Sequence, residues 1–262
     1  AASLAAKASA PAGPPPQEIV VRARDFEYTA PDTVRGGLTR FRLVNDGPDL
    51  HHVQLVRLED GHTVEEMLQR LAAGGPPPEW VVEVGGPNTP GGPGEETNAT
   101  VELRPGNYAM LCLIPAPDGE MHVKKGMVKP LVVLPAEGRQ AAAPAHDVVM
   151  VLNDYSFDAV PAITAGTHTI RFENRAPQSH EVVIARLEPG KTPEDLLRFI
   201  ETRQGVPPGR IVGGVTGIGP GEVNVSTITF QPGEYALVCF VPDAKDGRPH
   251  VAHGMVRQIT VS

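Results

Sequence analysis

The chain has 262 residues, a net charge of −8, 40% hydrophobic residues and 21% charged residues. This length allows two ordinary domains, each with its own buried core. The acidic balance and the lack of a basic cluster exclude nucleic acid as an expected partner, and no apolar run reaches the roughly 18 residues of a membrane span. The 28 glycines and 28 prolines favour short strands joined by many turns.

The first stretch, 1–17, is rich in Ala and Pro and is typical of the low-complexity leader of an exported mature protein. Because the chain begins with Ala, we expect a signal segment to have been removed and the protein to work in the periplasm or outside the cell. A disordered tail is the alternative. An ordered segment of this composition would need a surface to lie against, which makes it a candidate for docking on a partner.

Segments of β-branched, roughly alternating residues occur in two sets that follow the same order. They lie at 18–28, 38–45 and 52–58 in the first set and at 147–157, 167–174 and 181–187 in the second. A further strand that ends in Cys112 is apolar on both faces, which is typical of a strand buried on both sides. The pattern predicts an all-β fold.

One helix interrupts the strands in each set. Thr63 is predicted to cap a helix over 64–74, with Glu66 at the capping-box position. Thr192 is predicted to cap a helix over 193–205, which has proline at its first position. The apolar residues of both helices form narrow stripes, which indicate packing surfaces and not cofactor contacts.

The two sets are copies of one unit, because equivalent residues are separated by a nearly constant distance. Asp25-Phe26 matches Asp154-Tyr155, and the offset is 129 residues for Asn45 and Asn174. Such an offset along the whole chain indicates duplication of a domain of about 120 residues. The predicted division is an N-terminal segment 1–17, domain 1 over 18–136, a linker 137–146 and domain 2 over 147–262.

Each copy carries residues that suit a soft metal. The first has Cys112, His122 and Met127 around one loop. A thiolate, an imidazole and a weak thioether combine with a second His in trigonal blue-copper sites. A buried Cys is more often a small hydrophobic residue, and a nearby Met often fills a gap. Two complete sets at matched spacing favour copper. Since the two Cys lie in separate domains, beyond the ~7 Å limit for a disulfide, both are expected to be free.

The chain resembles the cupredoxins, the blue-copper domains. The pieces that match are Asn-x5-His, Tyr-x3-Cys and Cys-loop-His-x4-Met with Gly before the Met. HVKKGM and HVAHGM resemble the type 1 site of copper nitrite reductases, and GMVKPLVV resembles the last strand of plastocyanins. The resemblance covers nearly all of both copies and implies two tandem Greek-key β-sandwiches, each with one inserted α-helix. It implies one type 1 copper per domain, with His51, Cys112, His122 and Met127 as ligands in the first and His180, Cys239, His250 and Met255 in the second.

The chain departs from that family at the residue after the first His ligand of each domain, His51 or His180, which is called the upstream His below. The family commonly has Asn there, which pins the Cys loop, whereas this chain has His52 and Glu181. The sequence therefore leaves the rigidity of the site open. The Cys-to-His loops, with nine and ten intervening residues, are longer than in plastocyanins. His253 is a possible competing ligand, although solvent exposure is the simpler expectation.

An enzyme is not predicted. Two-domain copper oxidases and nitrite reductases connect the type 1 copper to a second centre through a His beside the Cys, but Leu111 and Leu113 flank one Cys here, and Val238 and Phe240 the other. The chain contains no His-x-His pair.

The leading functional hypothesis is an exported tandem cupredoxin that transfers single electrons between partner proteins. Its net charge of −8 suits a basic redox partner such as a cytochrome. The alternative is a cupredoxin-fold accessory subunit, with empty or vestigial copper sites, that stabilises a larger membrane-associated complex. A third hypothesis is copper storage or delivery, although the Met/His clusters that would favour it are absent from the sequence.

Overall fold

The structure is a computed structural model that describes residues 13–73 and 77–262. Most of the N-terminal segment 1–17, and Gly74 at the expected end of the first helix, lie outside the described residues. At the start of the described chain, the Pro14 carbonyl accepts a hydrogen bond from the Ala142 N–H at 3.3 Å. This end of the leader therefore lies on the segment predicted to be a linker.

The first repeat contributes nine strands and one α-helix to the described chain. In order these are β1 (Gln17–Arg24), β2 (Glu27–Thr29), β3 (Thr33–Arg35), β4 (Gly37–Asn45), β5 (Gln54–Leu58), α1 (Val64–Ala73), β6 (Val81–Gly85), β7 (Glu96–Leu103), β8 (Gly106–Leu111) and β9 (Val128–Leu134). The capping box predicted for α1 is present: the Glu66 N–H donates to Thr63 Oγ1 at 3.2 Å, and the Thr63 N–H donates to the Glu66 carboxylate at 2.8 Å.

The second repeat contributes eight strands, a second α-helix and a short 3-10 helix. In order these are β10 (Val148–Asn153), β11 (Ser156–Val160), β12 (Gly166–Asn174), β13 (His180–Leu187), α2 (Pro193–Thr202), β14 (Gly209–Ile218), β15 (Val223–Phe230), β16 (Gly233–Val238), the 3-10 helix (His250–His253) and β17 (Val256–Val261). Helix α2 ends three residues earlier than the sequence pattern predicts, because Arg203 takes a left-handed conformation and its N–H donates to the Phe199 carbonyl at 2.7 Å.

The strands form two sheets, and each sheet runs through both repeats. One has the order β11-β10-β12-β15-β7-β4-β1-β2, and the other has the order β17-β16-β13-β14-β6-β5-β8-β9-β3. The repeats meet where β7 pairs with β15 and β6 pairs with β14, both antiparallel. The chain is therefore all-β, as predicted, with two tandem sandwiches joined side by side.

Strand β8 shows how the sequence pattern places the candidate ligands. Tyr108 and Met110 face the core between the two layers, together with Cys112 immediately after the strand. Ala109 and Leu111 face the opposite way and pack with residues of α1. The strand is buried on both sides, as its sequence predicts, because the helix covers the face that would otherwise meet water. Neither helix in the described part of the chain is long and apolar enough to cross a membrane.

Candidate metal centres

The structure brings the predicted His and Cys residues together in each repeat. His51, Cys112 and His122 form one group, and His180, Cys239 and His250 form the other, with all ligand atoms within 4.8 Å of one another in each. All six side chains are fully buried. Residues that are far apart in sequence therefore converge twice on the same donor set.

The spacing within each group suits a single trigonal metal ion. In the first group, His122 Nδ1 lies 3.2 Å from His51 Nδ1 and 3.4 Å from Cys112 Sγ. In the second, Cys239 Sγ lies 3.4 Å from His250 Nδ1 and 3.9 Å from His180 Nδ1. First-row metals such as zinc bind nitrogen at about 2.0 Å and sulfur at about 2.3 Å, so a trigonal arrangement holds the donors about 3.5 Å apart. Two imidazoles and one thiolate are also the donors of a blue-copper site. The residues present therefore fit copper.

Backbone hydrogen bonds close the ligand loop of the first repeat. The Cys112 N–H donates to the Met127 carbonyl at 3.2 Å, and the Met127 N–H donates to the His122 carbonyl at 2.9 Å. The Val123 N–H donates to the Cys112 carbonyl at 2.8 Å. Gly126, just before the Met, has φ +102°, a left-handed conformation that favours glycine. The loop geometry is therefore set by the protein backbone itself.

The ligand loop of the second repeat has the same construction. The Cys239 N–H donates to the Met255 carbonyl at 3.2 Å, and the Met255 N–H donates to the His250 carbonyl at 3.0 Å. Gly254 has φ +93°, matching the glycine of the first loop. Both Met127 and Met255 are fully buried and belong to the same core clusters as Cys112 and Cys239, respectively.

A carboxylate orients the upstream His of each group. His51 Nε2 lies 2.5 Å from Asp25 Oδ1, and His180 Nε2 lies 2.9 Å from Asp154 Oδ1. An imidazole that donates its Nε2–H to a carboxylate keeps the Nδ1 lone pair free for a metal. The sequence shows the two Asp only as matching positions of the repeat. Their offset of 129 residues, the same as that of the two His, was the available signal for a shared role.

A buried Asn holds the turn that leads to each upstream His. Asn45 Nδ2 donates to the Asp49 carbonyl at 2.8 Å, and Asn45 Oδ1 accepts from the Gly47 N–H at 3.0 Å. Asn174 makes the equivalent bonds in the second repeat, at 2.8 Å to the Gln178 carbonyl and at 2.9 Å from the Ala176 N–H. The matched Asn residues therefore shape the turns and are not ligands themselves.

The two residues that depart from the family pattern, His52 and Glu181, both contact the Cys loops. The Leu113 N–H donates to His52 Nε2 at 2.9 Å, and the Phe240 N–H donates to Glu181 Oε1 at 3.0 Å. Each side chain thus offers an acceptor to the residue that follows the Cys. Burial lowers the pKa of His52 to about 3 and raises the pKa of Glu181 to about 7. His52 is consequently a neutral acceptor.

Burial also sets the protonation of the metal-free donors. It raises the pKa of the Cys112 thiol to about 11, and it raises that of Cys239 as well. It lowers the pKa of His250 to about 4, so this imidazole is neutral near neutral pH. A metal ion must therefore displace a thiol proton in each group, whereas the imidazole nitrogens need no deprotonation.

The other histidines lie outside these two groups. His62 stacks on Trp80 with ring centroids 4.0 Å apart, and His168 Nδ1 lies 2.5 Å from Asp147 Oδ2. His146 is exposed. His253 does not reach the His–Cys–His group as a competing ligand; its Nε2 lies 3.2 Å from Asp246 Oδ1.

No family model matches the sequence, and no curated protein matches it. Among solved structures, the chain is similar to an auracyanin from the photosynthetic bacterium Roseiflexus castenholzii, with 19% identity over 47% of this chain and 100% of that chain and a TM-score of 0.32. It is similar to auracyanin B with 22% identity over 49% of this chain and 100% of that chain, TM-score 0.32. It is also similar to the copper nitrite reductase of Nitrosomonas europaea, with 15% identity over 94% of this chain and 93% of that chain, TM-score 0.26.

Two β-sandwiches in tandem, each with an inserted helix, hold matched, fully buried His–Cys–His groups. The chain therefore has the two-sandwich architecture and the two donor groups that the resemblance to the cupredoxins implies.

Proposed function

We propose that the chain binds one type 1 copper ion in each repeat and transfers single electrons between partner proteins. His51, Cys112 and His122 would hold the first ion and His180, Cys239 and His250 the second, with Met127 and Met255 as weak thioether ligands. When bound, copper would supply a one-electron couple between Cu(I) and Cu(II). The observation that carries this proposal is the pair of buried donor groups with spacings of 3.2 to 3.9 Å.

The residues around each group suit electron transfer because they resist rearrangement. The Asp25 and Asp154 carboxylates fix the upstream imidazoles, and backbone hydrogen bonds fix the Cys and Met loops. All six ligating side chains are buried, which keeps bulk water from the metal. A fixed, dry donor set changes little between two oxidation states, so reorganisation during transfer stays small.

Electron transfer is favoured over catalysis by the residues beside each Cys. Leu111 and Leu113 flank Cys112, and Val238 and Phe240 flank Cys239. None of the four can ligate a second copper centre. The net charge of −8 supports a basic partner, such as a cytochrome, that approaches by electrostatic steering. Export to the periplasm or beyond, and the division into domains 18–136 and 147–262, belong to this proposal as well.

The test is the copper content and the visible spectrum of the air-oxidised protein. Two copper ions per chain with a strong thiolate-to-copper charge-transfer band are expected. Cys112→Ser and Cys239→Ser should each remove one ion and about half of the band, and the double variant should remove both. A colourless protein that refuses Cu(II) would overturn the proposal in favour of an accessory subunit with vestigial sites. Copper bound without the band, and released readily to a chelator, would favour storage or delivery.

A further inference from the structure

A second group of candidate ligands lies beside the donor group of the second repeat. Carboxylate oxygens of Asp243 and Asp246 and a ring nitrogen of His253 lie within 4.8 Å of one another. We propose that these three residues, the Asp–Asp–His cluster, form an additional site for a divalent transition ion, with Zn²⁺ as the representative ion. Two carboxylates and one imidazole suit such an ion, which would complete its coordination with water.

At the equivalent position, the first repeat has a lysine, whose side chain is a permanent cation. Lys125 stands where the second repeat has His253, and its Nζ lies 2.5 Å from Asp118 Oδ2 and 3.6 Å from Glu120 Oε2. Asp118 is in turn the counterpart of Asp246. The first repeat therefore neutralises this loop with its own ammonium group. In the second repeat the carboxylate is kept, but the ammonium is replaced by an imidazole that can ligate a metal.

The second repeat also gains a carboxylate at this place. The Ala116 N–H donates to the Glu120 carbonyl at 2.8 Å, and the Asp243 N–H donates to the Arg248 carbonyl at 2.8 Å, so Asp243 occupies the position of Ala116. A methyl group has thus been exchanged for a carboxylate that is almost fully buried. Two differences between the repeats, the added carboxylate and the lysine exchanged for histidine, favour an external cation, whereas a third, Arg248 in place of Glu120, adds a positive charge to the loop.

A buried, unpartnered nitrogen points into the cluster. Among the residues that the structure describes, His250 Nε2 has no hydrogen-bond partner, and it lies 3.8 Å from Asp243 Oδ2. Since Nδ1 of this ring faces Cys239 Sγ at 3.4 Å, Nε2 carries the hydrogen and needs an acceptor. A water molecule on an ion held by the cluster would supply it. His122 Nε2 of the first repeat is likewise unpartnered and lies 3.8 Å from Asp49 Oδ2. The unpartnered nitrogen is thus common to both repeats, and among the described residues only the second repeat sets a cluster of candidate ligands beside it.

The two carboxylates are held in place as metal ligands commonly are. Asp243 Oδ2 accepts from the Tyr155 hydroxyl at 2.5 Å, and Asp243 Oδ1 accepts from the Lys245 N–H at 2.8 Å. Asp246 Oδ1 accepts from the Arg248 N–H at 2.9 Å. Such supporting hydrogen bonds orient carboxylate ligands and lower the rearrangement needed on binding. The cluster is therefore already formed in its ligating arrangement.

The test is zinc stoichiometry by equilibrium dialysis of the full chain after its copper sites have been loaded. The parent should bind one equivalent of Zn²⁺ that both Asp246→Asn and His253→Lys lose. His253→Lys places the residue of the first repeat in the second, so its ammonium should occupy the ion's position. Asp118→Asn, at the corresponding position of the first repeat, is the matched control and should still bind one equivalent of Zn²⁺.

The same comparison separates this inference from the proposed function. If copper does not bind, the zinc stoichiometry is measured on the metal-free protein. The His–Cys–His groups are the same in the parent and in all variants, so any zinc that they bind cancels when a variant is compared with the parent. Equal zinc counts in the parent and in both variants would overturn the cluster. So would a loss in only one variant, because the proposed site needs both residues. Circular dichroism of each variant checks that a loss of zinc is not a loss of fold.

Discussion

Asn88 Nδ2 donates to Glu181 Oε2 at 3.4 Å, so a side chain of the first repeat contacts the residue that follows a proposed ligand of the second. The same amide lies 3.3 Å from the Val182 carbonyl. The reciprocal contact also exists: Thr216, the counterpart of Asn88, donates from Oγ1 to the Val53 carbonyl at 3.1 Å. The one or two residues that follow His51 and His180 are therefore each held by a side chain of the opposite repeat.

Replacing Asn88 by Ala should weaken the second site more than the first. The change removes the Asn88 amide from Glu181 Oε2 and from the Val182 and Val215 carbonyls, which should lower the free energy of unfolding by about 1–3 kcal/mol. Urea denaturation measures the stability, and copper titration measures the sites. Thr216→Val removes a single bond and should cost about 1 kcal/mol. Equal weakening of both sites by Asn88→Ala would contradict this account.

Asp25→Asn and Asp154→Asn should each weaken copper binding in their own repeat only. The carboxylate that accepts the Nε2–H of the upstream His fixes the ring for ligation, and the loss of such a partner typically reduces metal affinity about 10- to 100-fold. Competition with a copper chelator gives the affinities. Asp32→Asn, an exposed position paired with Lys129, is the control and should bind copper as the parent does. An unchanged affinity in both site variants would show that the backbone alone orients the rings.

Gly214→Ala should disrupt the pairing of β13 with β14 and reduce copper binding in the second repeat. A Cβ on Gly214 would overlap the Val182 carbonyl oxygen, and the residue has φ +123°. Val182 lies two residues after His180, so the displaced strand would carry a ligand with it. Thermal unfolding and copper content report the two effects. Gly92→Ala adds a Cβ with no atom of the described residues within 4 Å and should leave both quantities unchanged.

Glu83→Gln should stabilise the protein increasingly as the pH rises. Burial raises the pKa of Glu83 above its ordinary value of 4.5. Between that value and the raised folded pKa, the unfolded chain has released a proton that the folded chain keeps, so stability falls with pH by up to about 1.4 kcal/mol per unit. Gln cannot ionise, so the variant does not lose stability in this way. The difference in the free energy of unfolding between variant and parent should stop growing above the folded pKa of Glu83. The measurement is the urea midpoint of unfolding between pH 4 and pH 9, with Glu27→Gln as the control at an exposed position. If the plots of midpoint against pH run parallel for the parent and Glu83→Gln, the prediction is wrong.

The sequence predicts the parts of the site that lie close together along the chain. Cys112 and His122 belong to one loop, and the Thr63 capping box is a local pattern, so both can be read from spacing. Asp25, in contrast, precedes His51 by 26 residues, and its role depends on how two strands are placed. The end of α2 was missed because Arg203 adopts a left-handed conformation that the sequence pattern assigns to a later glycine.

His52 and Glu181 illustrate a further limit of sequence reasoning. The family pattern names a residue type at this position, but the Cys loop needs only an acceptor atom at the correct distance from one backbone N–H. An imidazole nitrogen at 2.9 Å and a carboxylate oxygen at 3.0 Å both meet that need. A substitution that appears disruptive in the sequence is therefore compatible with the same geometry.

The continuous sheets bear on how the duplicated chain could be divided. If the repeats were separated, β6 and β7 of one half, and β14 and β15 of the other, would each lose a neighbouring strand and become open edges. Unprotected edge strands recruit further strands, which leads to dimers or aggregates. The ancestral single unit would have needed to dimerise through these edges or to protect them. Because these edges are now paired within one chain, either repeat expressed alone would need new protection of its exposed edge strands.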